Sequence, residues 1–210
     1  MDVTKLSRAE KKIYDLERIQ ELIEENHGLV RTAQISDLGI DYRRVKALAE
    51  EGELIRVKNG YYSARSYKGN EEELIVQMFP DGILTMETAL YYYGYLENKP
   101  FGWHIAVDKN KSRSRFKIDY PNVIPYYTEP KVMSIGATTI EVAGHTMGIF
   151  TKERVVCDCL KYQDKMDRED FKKAILKYIL DEEKDVAALM EIARERKVTG
   201  KVQSMIGVWL

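Results

Sequence analysis

Five cationic residues in the first third of the chain have the types and spacing that suit contacts with a nucleic acid. Arg43, Arg44 and Lys46 lie within one short segment, and Arg56 and Lys58 follow about ten residues later. Guanidinium and ammonium groups donate hydrogen bonds to base edges in the major groove and form ion pairs with backbone phosphates. The chemistry that these residues indicate is therefore recognition of double-stranded DNA.

The positive charge is local. The 210-residue chain has 33 Lys and Arg residues against 34 Asp and Glu residues, a formal net charge of −1. Residues 42–68 alone contain seven Lys and Arg residues and three acidic ones, which gives +4. A near-neutral protein can present one basic surface to DNA, so the total charge does not exclude this function.

The elements that must position these cations follow one another in a characteristic order. Apolar residues at helical spacing predict a first helix over residues 9–26. Thr32 is expected to cap a short second helix that ends at Leu38. Asp41 is expected to cap a third helix, Tyr42 to Glu51, and Gly52 ends it.

A β-hairpin is predicted directly after the third helix. Two short strands, Leu54–Lys58 and Tyr61–Ser63, flank Asn59-Gly60, a pair that favours a type I′ turn. Three helices followed by a hairpin are typical of a winged helix-turn-helix. The candidate DNA-binding residues are Thr32, Tyr42, Arg43, Arg44, Lys46, Arg56, Lys58 and Asn59. The alternatives are a solvated cationic face and a winged helix that docks a protein.

The rest of the chain predicts a mixed α+β domain. Residues 63–70 are polar and read as a linker, so the expected domains are 1–68 and 71–210. The helices expected after the linker are residues 71–79, 85–93, 152–166, 171–180 and 185–197, and the strands are 83–84, 103–108, 122–128, 132–135, 138–142 and 147–150. The predicted fold class is α+β, a winged helix-turn-helix followed by a mixed α+β domain.

A second basic run occupies residues 109–117. Its five cations, with no acid among them, are Lys109, Lys111, Arg113, Arg115 and Lys117. Alternate spacing would place all five on one face of a strand, whereas in a loop they would be solvated. Contact with DNA phosphates, contact with an acidic partner and simple solvation all remain open for this run.

No constellation of residues predicts catalysis, a cofactor or a metal. The three histidines are scattered, and the common hydrolase, P-loop and zinc-protease motifs are missing. The two cysteines, Cys157 and Cys159, read as reduced thiols that are buried or half-buried. Asp119 and Glu141 could imitate a nuclease site, but Val142-Ala143 follows Glu141 where such nucleases favour a lysine. We expect a non-enzymatic protein that is soluble and cytoplasmic, without a signal peptide or membrane span.

Residues 31–62 resemble the N-terminal domain of AbiEi-type antitoxins, which belong to type IV toxin–antitoxin systems of abortive phage infection. The resemblance is carried by residues 48–62 (LAEEGELIRVKNGYY), in which one glycine ends the third helix and another closes the turn of the wing. Residues 81–94 (DGILTMETALYYYG) and 148–158 (GIFTKERVVCD) look like later segments of the same family.

The resemblance implies a different function for each of the two domains. The N-terminal domain would bind inverted repeats in its own promoter and repress transcription, and the C-terminal domain would neutralise a nucleotidyltransferase-like toxin. Two half-sites would require two DNA-binding domains, which a homodimer supplies. The alternatives are a stand-alone winged-helix regulator whose second domain dimerises or senses a ligand, and a nuclease-like enzyme.

Overall fold

The computed structural model describes residues 7–65, 71–118 and 120–209. Its internal contacts divide the chain into two units, residues 1–78 with 117–121, and residues 79–116 with 122–210. Residues 66–70 of the expected linker, including Lys68, and the nuclease candidate Asp119 lie outside the described residues.

The first unit is a winged helix, as the sequence predicts. Its elements are α1 (Arg8–Glu25), β1 (Val30–Arg31), α2 (Thr32–Asp37), α3 (Tyr42–Glu50), β2 (Leu54–Lys58), β3 (Tyr61–Ala64) and α4 (Glu71–Met78). The strands form an antiparallel sheet of order β1-β3-β2. The fold class predicted from the sequence is thus confirmed for this part of the chain.

The core of the first unit unites the helices with the sheet. Ile19 and Ile23 of α1 and Val45 and Leu48 of α3 are fully buried in one apolar cluster that also includes Leu54 of the wing. Burying an aliphatic side chain of this size contributes roughly 1.5–3 kcal/mol, so this cluster fixes which face of α3 points outward.

Two local predictions in this unit are wrong in detail. Thr32 is the first residue of α2 and not its cap; the Arg31 N–H donates to Gln34 Oε1 (2.8 Å) at that helix end. The hairpin turn is not type I′, because only Gly60 of its two central residues has a positive φ (76°), and the register shifts between Arg56 and Lys58. Such a bulge lets Gly60 alone supply the left-handed conformation.

The first unit extends beyond the expected limit at residue 68. Helix α4 belongs to it, and the Gln77 side chain donates a hydrogen bond to the His27 carbonyl (2.8 Å). Residues 117–121 return to the same unit, where Ile118 forms an isolated antiparallel bridge with Lys58. The expected division into 1–68 and 71–210 therefore differs from the observed one, because long-range pairing assigns these segments.

The second unit is a mixed sheet with helices. Its strands are β4 (Ile83–Leu84), β5 (Trp103–Asp108), β6 (Val123–Thr128), β7 (Ala137–Val142) and β8 (His145–Phe150), in the order β6-β5-β4-β8-β7. Its helices are α5 (Met86–Tyr92), α6 (Pro130–Met133), α7 (Lys152–Lys161), α8 (Arg168–Leu180), α9 (Val186–Arg196) and α10 (Thr199–Met205). Strand β4 pairs antiparallel with β5 and parallel with β8.

Helix α7 is the central helix of this unit. It contacts α5, α8, α9 and α10, and every residue from Glu153 to Leu160 is buried. Cys157 and Cys159 are free and buried, in agreement with the expected reduced thiols. Burial raises the pKa of the Cys157 thiol to about 12, so this thiol stays protonated at neutral pH.

One predicted strand of the second unit is wrong. The expected strand at residues 132–135 is instead covered in part by helix α6 (Pro130–Met133), which has a proline in its first turn. A proline at that position is compatible with a helix, because the missing N–H has no partner there in any case.

Among the described residues, no helix is long and apolar enough to cross a membrane.

Candidate nucleic-acid interface

Helix α3 presents a polar and cationic face opposite its buried one. Val45 and Leu48 have no exposed surface, whereas Tyr42 is 54 % exposed and Arg43 and Lys46 are also exposed. Because residues one and two positions apart on a helix point in different directions, burial of Val45 turns Arg43 and Lys46 away from the core. The structure therefore brings these three candidate residues to one accessible side of α3.

The start of α3 is fixed by an N-cap. The Asp41 carboxylate accepts a hydrogen bond from the Arg44 backbone N–H (2.9 Å), which satisfies one of the unpaired donors of the first turn. The sequence predicted this cap correctly. A carboxylate at this end also interacts favourably with the helix dipole, so α3 starts at a defined residue with a defined rotation.

Arg44 differs from its neighbour Arg43. Its Nε lies 3.3 Å from Asp15 Oδ2, and the side chains of Arg44 and Asp15 are only 21 % and 10 % exposed. The pair joins α3 to α1 and restricts the guanidinium of Arg44. Arg43 is exposed, while Arg44 has a partner inside its own unit.

Two further contacts involve the outer face of α3. Lys46 Nζ lies 3.6 Å from Glu50 Oε1 in an exposed i,i+4 pair, an interaction worth only a few tenths of a kcal/mol. Tyr42 interacts with the hydroxyl of Tyr62 on β3, and burial together with this neighbour raises the pKa of Tyr62. The α3 face and the wing are thereby held beside each other within the first unit.

The wing carries its own cations. Arg56 is exposed, and its Nη2 donates to Asn59 Oδ1 (3.4 Å) at the tip of the hairpin. Lys58 Nζ lies 4.2 Å from the centroid of the Tyr61 ring, at a distance typical of a cation–π contact. These three candidate residues of the wing thus occupy one end of the sheet, next to its turn.

Thr32 is placed differently from the other candidates. Its hydroxyl oxygen is buried and has no hydrogen-bond partner among the described residues, while its backbone N–H donates to the Gly60 carbonyl (2.9 Å). Through that bond Thr32 links α2 to the turn of the wing. Its side-chain oxygen does not face solvent.

The structure also reveals cations that the sequence reasoning missed. Arg8 and Lys11, in the first turns of α1, are exposed and line a cleft of about 220 Å³ together with Gly39, Asp41 and Arg44. Arg31 is exposed near the wing, 5.5 Å from the Tyr61 ring centroid. The signal for the first pair was available, since the first helix of a helix-turn-helix commonly crosses the DNA backbone.

The second basic run does not form one face of a strand. Strand β5 ends at Asp108, and Arg113–Phe116 form a short 3₁₀ helix. Within the second unit, the Arg115 guanidinium donates two hydrogen bonds to the Asp81 carboxylate (2.9 and 2.5 Å) and thereby lowers the pKa of Asp81. Lys109 forms an ion pair with Glu129 (2.9 Å). Of the two arrangements left open for this run, the single face of a strand does not occur.

The remaining members of the run have different surroundings. Lys111 is 3.9 Å from Asp81, Arg113 lies over the Tyr127 ring at 5.0 Å, and Lys117 is an exposed residue of the first unit. Several cations of this run therefore have partners within the chain.

Three features of the described residues bear on metal binding and catalysis. No group of three or more His, Cys, Asp and Glu side chains that could hold a metal ion occurs in that part of the chain. Glu141, a candidate for a nuclease site, is exposed and accepts a hydrogen bond from the Thr146 hydroxyl (2.8 Å). His104 is buried against Glu87, with His104 Nδ1 2.9 Å from Glu87 Oε2, inside the second unit.

Comparison with protein families gives a match within the first unit. Residues 17–64 match the family model described as a transcriptional regulator, AbiEi antitoxin. The match spans α2, α3 and the whole wing, and under a quarter of the 210-residue chain. The resemblance predicted from the sequence is confirmed for this segment. A comparison with curated proteins found no match.

Proposed function

We propose that this chain is an antitoxin-type transcriptional regulator that binds its own promoter. The exposed face of α3 would enter the major groove, which at about 12 Å is wide enough for a helix. Arg43 would contact base edges, Lys46 would contact a phosphate, and Arg56 and Lys58 of the wing would contact the adjacent backbone.

The observation that carries this proposal is the exposed Arg43 and Lys46 face of a helix whose rotation is fixed. The Asp41 cap and the Arg44–Asp15 pair hold α3 in place, so the cationic face is presented without rearrangement. Preorganised contacts lose less conformational entropy on binding. The match of residues 17–64 to a regulator family supports the same interpretation.

We further propose that the second unit neutralises a nucleotidyltransferase-like toxin, and that the protein acts by binding and not by catalysis. The support is the resemblance of residues 81–94 and 148–158 to later segments of the antitoxin family. An inverted repeat in the promoter would be read by two copies of the chain, with half-sites about 34–36 Å apart or a multiple of that spacing.

A promoter-reporter assay tests the regulatory part. The region upstream of the gene drives a reporter, and the full chain is supplied in trans; repression that R43A abolishes supports the proposal. Co-expression with a nucleotidyltransferase-like protein encoded beside it tests neutralisation. A reporter that responds equally to the wild-type chain and to an empty plasmid would contradict the regulatory role.

A further inference from the structure

A cleft in the second unit collects cations from three helices. Lys131 comes from α6, Lys161 from the end of α7, and Arg196 and Lys197 from the end of α9. The cleft has a volume of about 410 Å³, which falls in the range of small-molecule sites, about 300–1,000 Å³. All of its lining residues belong to the second unit, and none is a residue proposed to contact DNA.

Arg196, which lines this cleft, belongs to a buried charged cluster in which two guanidinium groups share one carboxylate. Arg196 lines the cleft and is only 6 % exposed, and its Nε donates to Asp158 Oδ1 (2.6 Å). The other oxygen of Asp158 accepts from Arg154 Nε (2.9 Å), and Arg154 is fully buried. One carboxylate therefore faces two guanidinium groups, and Arg154 Nη2 lacks a hydrogen-bond partner in the described part of the chain.

Helix ends explain some of these cations and not others. Lys161 Nζ donates to the Arg196 carbonyl (3.4 Å) at the end of α9, where a cation complements the helix dipole. Lys131 and Lys197 are exposed, and neither side chain forms a hydrogen bond or ion pair with a described residue. Both side chains are therefore available to a ligand, although Lys197, at the C-terminal end of α9, also complements the dipole of that helix.

The backbone of Lys197 strengthens this point. It adopts a left-handed conformation (φ 59°, ψ 42°) as the C-cap of α9. Glycine or asparagine is usual in that conformation, because a side chain with a Cβ is strained there. The chain nevertheless places a lysine at this position and so keeps a cation at the rim of the cleft.

We propose that this cleft binds the phosphate groups of a small phosphorylated molecule of nucleotide size. Lys131 and Lys197 pair with the phosphate oxygens, and Arg196 provides positive charge beneath them. Of the two carboxylates on the lining, Glu129 is paired with Lys109 (2.9 Å), and Glu195 is exposed and can accept hydrogen bonds from ligand hydroxyls.

The electrostatics of Lys161 agree with this assignment. Burial lowers its pKa, and the charge of Arg196 lowers it further against the opposing charge of Asp158. A bound phosphate would reverse that effect by adding negative charge close to the ammonium group.

Isothermal titration calorimetry on the full chain tests the proposal, with inorganic pyrophosphate and ADP as probes at low, matched ionic strength. The wild-type chain should bind both saturably. K131Q and K197G should each weaken binding roughly fivefold to tenfold, the loss of one charged contact. K173Q is the matched control, since Lys173 is an exposed lysine on α8 away from the cleft.

The glycine variant separates lost binding from lost folding. K197G relieves the left-handed strain, so its thermal midpoint should equal or exceed that of the wild-type chain while its affinity falls. ADP binding tighter than pyrophosphate would indicate that the nucleoside is also recognised, and equal affinities would assign recognition to the phosphates; both support the site.

Three results would overturn the proposal. The first is an absence of saturable binding of either probe, and the second is unchanged affinity in both K131Q and K197G. The third is an equal loss of affinity in K173Q, which would show that only the net charge of the chain matters. None of these results bears on promoter binding, because neither probe is a duplex and the variants leave α3 and the wing intact.

Discussion

Arg43 and Arg44 are neighbours in the sequence, yet their guanidinium groups have different surroundings. Arg43 is exposed on the outer side of α3, whereas Arg44 pairs with Asp15 of α1 at 3.3 Å. An exposed side chain such as Arg43 can extend to a base in the major groove. The side chain of Arg44 is restricted by its ion pair with Asp15, which connects α3 to α1. The two arginines therefore yield different predictions.

R43A should weaken binding to the upstream region by about 1–3 kcal/mol and relax the preference at one base pair, because a bidentate base contact is lost. Competition gel shifts with single-base variants of the bound sequence measure both effects. R168A is the control, since Arg168 is exposed on α8 of the second unit. Unchanged affinity and specificity in R43A would show that this residue does not read DNA.

D15N should lower the free energy of unfolding by about 1–2 kcal/mol, because Arg44 loses a charged partner in a half-buried setting. Binding to DNA should weaken alike for all sequences, since the orientation of α3 is affected and no base contact is removed. Urea denaturation and gel shifts give the two values. Lost specificity at one base pair in R44Q, with stability unchanged, would instead assign base reading to Arg44.

Asp181 gives a pH dependence in the second unit. Hydrogen bonds from Lys152 and Tyr95 lower its pKa to about 2, below the value of about 3.9 in an unfolded chain. The carboxylate therefore stabilises the fold above about pH 4, and this contribution is lost as the pH falls through about 2. D181N should be less stable than the wild-type chain at neutral pH, with a difference that shrinks between about pH 4 and pH 2.

Urea unfolding at several pH values measures this difference. D164N is a suitable control, because Asp164 is exposed and no hydrogen bond or ion pair of its side chain with a described residue occurs. A difference between D181N and the wild-type chain that stays constant across the acid range would contradict the assignment.

At the scale of the elements, local signals predicted the winged helix well. The sequence predicted the Asp41 cap of α3 and the hairpin turn at Asn59-Gly60, and both occur in the structure. Both signals act over two to four residues, through a side-chain cap and a glycine with positive φ. Thr151 and Asp167 likewise accept hydrogen bonds at the starts of α7 and α8.

The failures come from contacts that no local pattern contains. Arg44 and Asp15 are 29 residues apart, and the bridge between Lys58 and Ile118 spans sixty residues. A strand was one of two arrangements left open for the second basic run, but pairing of Arg115 with Asp81 accompanies a 3₁₀ helix. The Arg44–Asp15 pair is one such contact, so the sequence could not distinguish the surroundings of Arg44 from those of Arg43.

The wing makes a prediction about salt. K58Q should weaken binding to specific and unrelated duplexes alike and reduce the slope of log affinity against log salt by about one, because one phosphate contact is lost. Fluorescence anisotropy over a salt series measures the slope, and K173Q should leave it unchanged. A loss confined to the specific sequence would mean that the wing reads bases.

At the scale of the whole molecule, the two units have different charge patterns. The first presents exposed cations on α3, on the wing and at the start of α1. In the second, several cations are paired or buried, such as Arg115 with Asp81 and Arg154 with Asp158. A near-neutral chain can thus combine a surface suited to a polyanion with a unit suited to other partners.

This arrangement predicts that the two proposed activities can be separated. The double variant R43A/K46A should lose repression of the promoter reporter but still neutralise a cognate nucleotidyltransferase-like toxin, because both changes lie on the exposed face of α3. Growth in co-expression measures neutralisation. Loss of both activities in a variant that folds normally would mean that this face also serves the toxin.

The most direct test of the central claim is the affinity of the purified full chain for its own upstream region against a scrambled duplex of equal length. Fluorescence anisotropy at about 0.15 M salt, where non-specific attraction is screened, provides this comparison. A promoter-specific regulator should prefer the upstream duplex by at least about a thousandfold, and R43A/K46A should lose nearly all of that preference. Equal affinity of the wild-type chain for both duplexes would contradict it.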